Sequence, residues 1–344
     1  NPIQKRLHLR RHLRAYSPRY ELLFRMLETQ ETRRITPIVL FFSLVSGHSL
    51  ENLEGFEWYL NMRNRHWNND YYGGEDGEDG EDALKAHNYW VLKFTDGDST
   101  KDFKLGEGMN AEALRAREDD NISDLNIAEC LEFYSARADR KDPQFDEPKL
   151  KKSIVKAVRE KLWDKLEKMG MSKDEEEAAK THFTDYPKLN HVVCTVTGKD
   201  GENSREWASY LLDERCGAYN HPANRFGEII RVIAGADKIG ESNDFRNTRH
   251  MFFTSPETDV VKLLQKFGRI ARSSDPEHYP HYRYGFHKDH LEYFGDDDNV
   301  KYGVPIVHYV TLARPEEVGE AFDNIKKKML FYNEYGRLLS RDKS

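Results

Sequence analysis

The spacing of apolar positions divides the chain into two stretches of alternating helix and strand around a charged middle. SPRYELLFRMLETQ (17–30) puts Tyr20, Leu23, Phe24 and Leu27 at helical spacing, with Ser17 as N-cap and Pro18 at the first helical position. TPIVLFFS (36–43) is a short apolar run beside a proline, which predicts a buried strand. HSLENLEGFEWYLNMRNR (48–65) is helical again, with Leu50, Leu53, Phe56, Trp58 and Leu60 as candidate core. The alternation returns at 190. HVVCTVTG (191–198), EIIRVIAG (228–235), RHMFFTS (249–255) and PIVHYVTLA (305–313) read as strands. SREWASYLLDER (204–215), ETDVVKLLQKFGRIAR (257–272) and a tail over 315–339 read as helices. Strands alternating with helices predict an α/β fold, a mainly parallel sheet covered on both faces.

The middle differs. NYWVLKF (88–94) reads as a strand, but most of 66–188 is charged and helical. PKLKKSIVKAVREKLWDKLEKMG (148–170) repeats apolar residues every four positions at Leu150, Ile154, Val158, Leu162 and Leu166. The expected division is a basic arm or linker (1–16), a first part of the sheet domain (17–65), a mostly helical insertion (66–188), a second part (189–313) and a C-terminal helix (314–344).

Composition narrows the class. The 344 residues carry 53 Lys and Arg against 60 Asp and Glu, a net charge of −7. No run approaches the ~18 apolar residues of a transmembrane helix, which predicts no membrane partner. The N-terminus has no apolar segment of a secretory signal. Cys130, Cys194 and Cys216 are too few and scattered for a disulfide framework or a metal knuckle, which predicts a reducing, intracellular setting. The chain begins at Asn1, not Met, and reads as a fragment or a processed product.

The acidic balance argues against nucleic acid only until the charges are located. Residues 73–82 read GGEDGEDGED, a solvated acidic loop without a base; without its six acids the net charge is −1. Residues 1–20 hold Lys5, Arg6, Arg10, Arg11, Arg14 and Arg19 and no acid, with Leu7, Leu9 and Leu13 between them. That segment is either a solvated linker or an arm that contacts phosphates.

The sharpest string is QKFGRIAR (265–272), of pattern Q-x-x-G-R-x-x-R, on a helix directly after a strand. Arg269 and Arg272 stand three apart, the spacing of one helix face, and could present two guanidiniums to a terminal phosphate. Gly268 permits close approach and Gln265 can hydrogen-bond at the same surface. The alternative is a solvated basic helix end favoured by the helix dipole. His278, His281, His287 and His290 cluster within EHYPHYRYGFHKDH without a cysteine, so no metal is expected there. The interleaved Tyr279, Tyr282, Tyr284 and Phe286 either stack on bases or pack at the surface. No G-x-x-x-x-G-K-[ST] string occurs. Asp146-Glu147 and Asp213-Glu214 read as surface acids.

Taken in order, these segments resemble the C-terminal RecA-like lobe of superfamily-two helicases. The resemblance is to the helicase-like ATPases of large nucleocytoplasmic DNA viruses, the poxvirus early-transcription-factor and nucleoside-triphosphatase group. AYSPRYELLFRML, PIVLFFSLVSG and LEGFEWYL resemble the opening helix, first strand and motif four; HVVCTVTGKDGENSREWASYLLDE resembles the strand ending in Thr-Gly with its helix. NHPANRFGEIIRVIAGADKIGESNDFRNTRHMFFTSP resembles the asparagine-rich turn, the motif-five strand and its successor, and QKFGRIAR falls where motif six belongs. Coverage is about 17–60 plus 190–275.

The resemblance implies that Arg269 and Arg272 face ATP, with Gln265 in support. It implies that Gly235, Gly240, Glu241 and Asp244 form the motif-five loop between nucleotide and nucleic acid. Gly240, Glu241 and Gly268 are the nucleotide-side expectations. Thr197, Gly198, Ser43 and Asp244 are the nucleic-acid-side ones, with Ser46 beside the motif-four strand. Its cofactors would be ATP and Mg²⁺, held mainly by an N-terminal RecA-like lobe that carries the P-loop. Its partners would be that lobe, DNA or RNA, and transcription machinery, in host cytoplasm or virion. Two positions depart from the group: Glu241-Ser242 stands for Glu-Gly, and Ser273-Ser274-Asp275 for a Ser-His pair. The expected function is the second motor lobe of a nucleic-acid-dependent ATPase. The alternative is a non-catalytic helicase-like module that binds nucleic acid or a transcription partner.

Overall fold

The computed structural model describes residues 17–29, 37–42, 52–64, 88–93, 111–119, 121–138, 147–166, 173–185, 190–196, 211–212, 217–224, 227–236, 239, 244–245, 247–248, 250–254, 259–270 and 306–309, with isolated positions at 319, 323, 326 and 327. The strands are β1 (Ile38–Phe41), β2 (Asn88–Lys93), β3 (Asn190–Val196), β4 (Val232–Gly235), β5 (His250–Phe253) and β6 (Ile306–Tyr309). The helices are α1 (Pro18–Thr29), α2 (Leu53–Arg63), α3 (Ala111–Ala116), α4 (Ile127–Ala138), α5 (Glu147–Leu166), α6 (Lys173–Asp185) and α7 (Val260–Gly268). The six strands form one sheet in the order β2-β3-β4-β1-β5-β6. Every pairing is parallel. This is the expected α/β arrangement, and it is consistent with a RecA-like fold.

Burial of the central strands follows from their sequences. A parallel strand covered on both faces must be apolar at every position. Ile38, Val39, Leu40 and Phe41 meet that requirement at 2% exposure or less. Their register with Val232–Gly235 and His250–Phe253 sends alternate residues to opposite sides. Ile38, Leu40, Val193, Val232, Ala234 and Phe252 join one apolar cluster, with Tyr20, Leu23 and Phe24 of α1 and Leu53, Phe56, Tyr59 and Leu60 of α2. Val39, Phe41, Cys194, Ile233, Met251 and Phe253 join the other, with α4, α5, α6 and α7.

The segment 66–188, read from the sequence as an insertion, contributes to this packing. β2 runs beside β3 in parallel from Asn88↔Asn190 to Lys93↔Thr195, so the segment supplies a strand of the same sheet. Its helix α5 buries Leu150, Ile154, Val158, Leu162 and Leu166, the five positions of the four-residue repeat. Trp163 packs edge-on against Trp90 of β2, ring centres 5.0 Å apart. Arg159 crosses from α5 to the sheet. Its Nε donates to the Glu228 carbonyl (2.6 Å) and its Nη2 to the Asn190 carbonyl (2.7 Å). Burial lowers its pKa to about 10, and the two carbonyls help the cation remain inside. The outer edge of β2 is met by Asn64, which accepts from the Tyr89 N–H and donates to its carbonyl, both at 2.6 Å. That amide occupies backbone groups that would otherwise template another strand.

Two boundaries differ from expectation. β4 begins at Val232, not 228, because the amides of Ile229 and Ile230 donate to Asn224 Oδ1 (2.9 and 2.8 Å) instead of a neighbouring strand. α7 spans 260–268, not 257–272. Asp259 caps its start, accepting from the Val261 and Lys262 amides. At its end the Arg269 and Ile270 amides turn back to the Lys266 and Phe267 carbonyls, a tightened last turn.

Candidate functional site

Helices leaving adjacent strands on opposite faces open a crevice outside the strand ends. Here α2 follows β1 onto one face and α7 follows β5 onto the other, while β1 and β5 are neighbours. By that rule the ends of β1 and β5, at Phe41 and Phe253, are a candidate position for a ligand. Their rings stack at 5.3 Å, and Thr254 ties the two ends by donating its N–H (3.1 Å) and Oγ1 (3.2 Å) to the Phe41 carbonyl.

α7 lies against these ends. Its Lys266 reaches inward, 6% exposed, with Nζ 5.0 Å from the Phe41 ring centre and 5.6 Å from that of Phe253. The aromatic faces stabilise the cation. Phe267 meets Phe253 edge-on at 6.3 Å. Reading the sequence alone missed Lys266. Its only signal was a lysine at an inward position of an amphipathic helix, between apolar residues 263 and 267.

Arg272, expected on the same face as Arg269, lies outside the described residues, and Arg269 is the C-cap residue of α7. Its Nη1 lies 3.6 Å from Asp244 Oδ1, with the two side chains 22% and 17% exposed. That separation exceeds a hydrogen bond. Arg269 Nε is buried and has no hydrogen-bond partner among the described residues. A guanidinium has five donors in a planar fork, so this one retains capacity for an oxyanion. The Arg269 carbonyl accepts from the Phe245 amide (3.2 Å), and the Phe245 ring packs edge-on against Phe41 at 6.3 Å. Among the described residues, a backbone bond and an ion pair thus join the loop after β4 to the end of α7.

The structure therefore brings together Asp244 and Arg269, expected on the nucleic-acid and nucleotide sides respectively. Gln265 and Gly268 are on the same helix end and exposed. A side chain at Gly268 would meet nothing within 4 Å. Gly235 is different: a Cβ there would lie 2.8 Å from both the Val196 carbonyl oxygen and Ile239 Cγ2, so only glycine permits this approach of β4 to β3. Arg272, Gly240, Glu241, Thr197, Gly198, Ser43 and Ser46 lie outside the described residues, as do the acidic stretch 73–82, the arm 1–16 and the histidine cluster 278–290. Among the described residues no group of three or more His, Cys, Asp or Glu could hold a metal ion. No described helix is long and apolar enough to cross a membrane.

Behind Asp244 stands the turn 217–224. His221 is fully buried and its pKa is lowered to about 4, chiefly by desolvation. Its Nδ1 accepts from the Ala223 amide (3.1 Å), which leaves the proton on Nε2, facing the Leu131 carbonyl (3.1 Å) and Ser135 Oγ (2.9 Å) of α4.

Comparison with known proteins gives one informative similarity. The chain is 30% identical over 106 residues to putative helicase 087L of Invertebrate iridescent virus 3. The aligned part covers 31% of this chain and 9% of that protein. No protein-family profile matches the chain, and no solved structure matches it.

Proposed function

We propose that this chain is the second motor lobe of a nucleic-acid-dependent ATPase of helicase type. It would supply Arg269 and Arg272 to ATP held by a P-loop lobe. The observation that carries this reading is the state of Arg269. It is a partly buried guanidinium at the end of the helix that follows β5, held by one long ion pair, with a buried Nε left over. A γ-phosphate offers the oxygens that such a group lacks, and an arginine aimed at developing phosphoryl charge accelerates transfer. The similarity to a viral putative helicase supports the same direction. So does the parallel sheet, with α2 and α7 on opposite faces after the neighbouring strands β1 and β5.

In this reading ATP and Mg²⁺ belong mainly to the other lobe, and no residue described here is assigned to the metal. Asp244 holds Arg269 until closure of the two lobes offers it a phosphate. The exchange of one anionic partner for another links closure to the loop after β4, where Gly240 and Glu241 stand in sequence. Thr197, Gly198 and Ser43 follow parallel strands β3 and β1 in sequence and are proposed as contacts to DNA or RNA. Repeated closure would step the lobe along the strand.

The test is Arg269→Ala, and separately Arg272→Ala, in the protein that carries both lobes. Stimulated ATP hydrolysis is expected to fall on the order of 10³-fold or more, while nucleic-acid binding persists. Unchanged turnover in both variants refutes the proposal.

A further inference from the structure

We infer that Asn220 is a positioning residue for Arg269, acting through Asp244; the inference rests on the function proposed above. Asn220 is 3% exposed and sits in the turn before β4, far in sequence from either partner. Its Nδ2 donates twice, to the Leu212 carbonyl (2.6 Å) and to the Asp244 carbonyl (2.8 Å). One amide therefore fixes the main chain of the residue whose carboxylate meets Arg269 at 3.6 Å. The next amide along, Phe245 N–H, donates to the Arg269 carbonyl, so the same short segment holds the arginine at main chain and side chain together.

The turn that carries Asn220 is itself held on every side. Asn224 uses its full capacity, donating to the Tyr219 and Ile230 carbonyls (2.9 and 3.0 Å) and accepting from the Ile229 and Ile230 amides. Asn247 donates to the Tyr219 and His221 carbonyls (3.0 and 2.9 Å), and Tyr219 Oη meets Thr248 Oγ1 at 2.7 Å. His221 anchors the far side to α4. A turn fixed this way transmits little slack to Asn220. Buried amides are costly unless fully bonded. Apolar residues could fill the same space, but they could not orient a backbone carbonyl. A displacement of about 1 Å in a group that meets the transition state can cost on the order of 100-fold in rate, which is the scale on which such orientation matters.

The experiment is a double-mutant cycle in the two-lobe protein, reading kcat for stimulated ATP hydrolysis per folded molecule. Asn220→Ala alone is expected to lower kcat about 10-fold to 100-fold with KM for ATP changed by less than about threefold. On the Arg269→Ala background it is expected to cost less than about twofold, because a positioning residue has nothing left to position. Asn220→Ser, which keeps one donor, replaces the alanine variant if that variant does not fold. Hydrogen exchange at the Phe245 amide gives a second readout: it rises in the Asn220 variant while exchange in β1 does not. An equal loss of kcat on both backgrounds, or unchanged kcat in a folded variant, overturns the inference and leaves Arg269 as proposed. Unchanged turnover in Arg269→Ala alone overturns the functional reading itself, and this inference with it.

Discussion

Acid should loosen this fold through one histidine. His221 is neutral inside the protein, with a pKa of about 4 against an ordinary value of 6.5. The unfolded chain takes up its proton near pH 6.5, and the folded chain only near pH 4. The unfolded state therefore binds more protons in that window, and stability falls as pH falls through it. Above pH 6.5 the contribution is fully present; below pH 4 it is gone. The difference of about 2.5 pK units corresponds to roughly 3 kcal/mol in all, of which about 2 kcal/mol is lost between pH 7 and pH 5. With a urea slope of about 2 kcal/mol per molar, the midpoint should move by roughly 1 M over that interval.

The assay is urea unfolding followed by tryptophan fluorescence, since Trp90 and Trp163 are buried against each other. His221→Gln keeps an amide donor that can face the Leu131 carbonyl and removes the titration. Its stability at pH 7 is expected to be lower than the parent's, but its slope between pH 7 and pH 5 should be flatter by about 2 kcal/mol. Other histidines titrate equally in both proteins and cancel in the comparison. A variant that loses stability with acid as steeply as the parent would show that His221 is not held neutral, and the tautomer and contacts assigned to it would be wrong.

Three further outcomes follow from packing. Gly235→Ala places a methyl 2.8 Å from Val196 O and Ile239 Cγ2; it should cost about 1–3 kcal/mol in chemical denaturation, and an unchanged midpoint would contradict the close approach of β4 to β3. Trp163→Ala empties a site with 0% exposure at the centre of the α5–β2 contact and should cost about 3–5 kcal/mol. If 66–188 were only appended to the sheet, its loss of packing would leave the unfolding of β3 and β4 unchanged in hydrogen exchange. Asp259→Ala removes the cap that accepts from the Val261 and Lys262 amides; about 1 kcal/mol is expected, appearing as faster exchange at the start of α7 with little change in β1.

How far the sequence discloses this structure depends on whether a signal is local. The β-branched run His191–Val196 and the spacing Leu150-Ile154-Val158-Leu162-Leu166 are local, and both elements stand where the patterns put them. The parallel sheet follows from strand and helix alternating. EIIRVIAG also reads as one strand, yet its first half is turned aside by Asn224, a residue that looks like ordinary turn material until its four bonds are seen. The end of α7 departs from the sequence pattern for a similar reason. Nothing in GRIAR announces that the Arg269 carbonyl will be taken by Phe245, 24 positions earlier. Of the candidate site, the sequence proposes Arg269, Gln265, Gly268 and Asp244 by order and resemblance. It could not indicate that Asp244 and Arg269 touch, or that Lys266 turns inward, because both depend on which faces α7 and the preceding loop present to β1 and β5.

The buried polar groups fall into two sets with different consequences. Arg159, Asn190 and Asn64 bind α5 and α2 to the sheet edge; Arg159 gives Nε and Nη2 to two carbonyls, keeps a buried Nη1 with no hydrogen-bond partner among the described residues, and lies 5.6 Å from the Phe183 ring centre. Its two short carbonyl bonds hold it in place. Arg269 resembles it in keeping a buried N–H without such a partner, but its side chain is held by a long contact to a carboxylate and not by two short carbonyl bonds. Leaving a buried donor unmade costs about 1–3 kcal/mol, a cost the fold did not avoid here although the same chain satisfies Asn224 completely. The amide N–H groups of Asn220, Asn224 and Asn247 hold the backbone around the turn by short bonds, whereas the Arg269 side chain beside them is held by a long one. Under the proposed function that difference is what would let Arg269 exchange partners: a frame of short amide bonds, and beside it a cation with a long ion pair and a donor to spare.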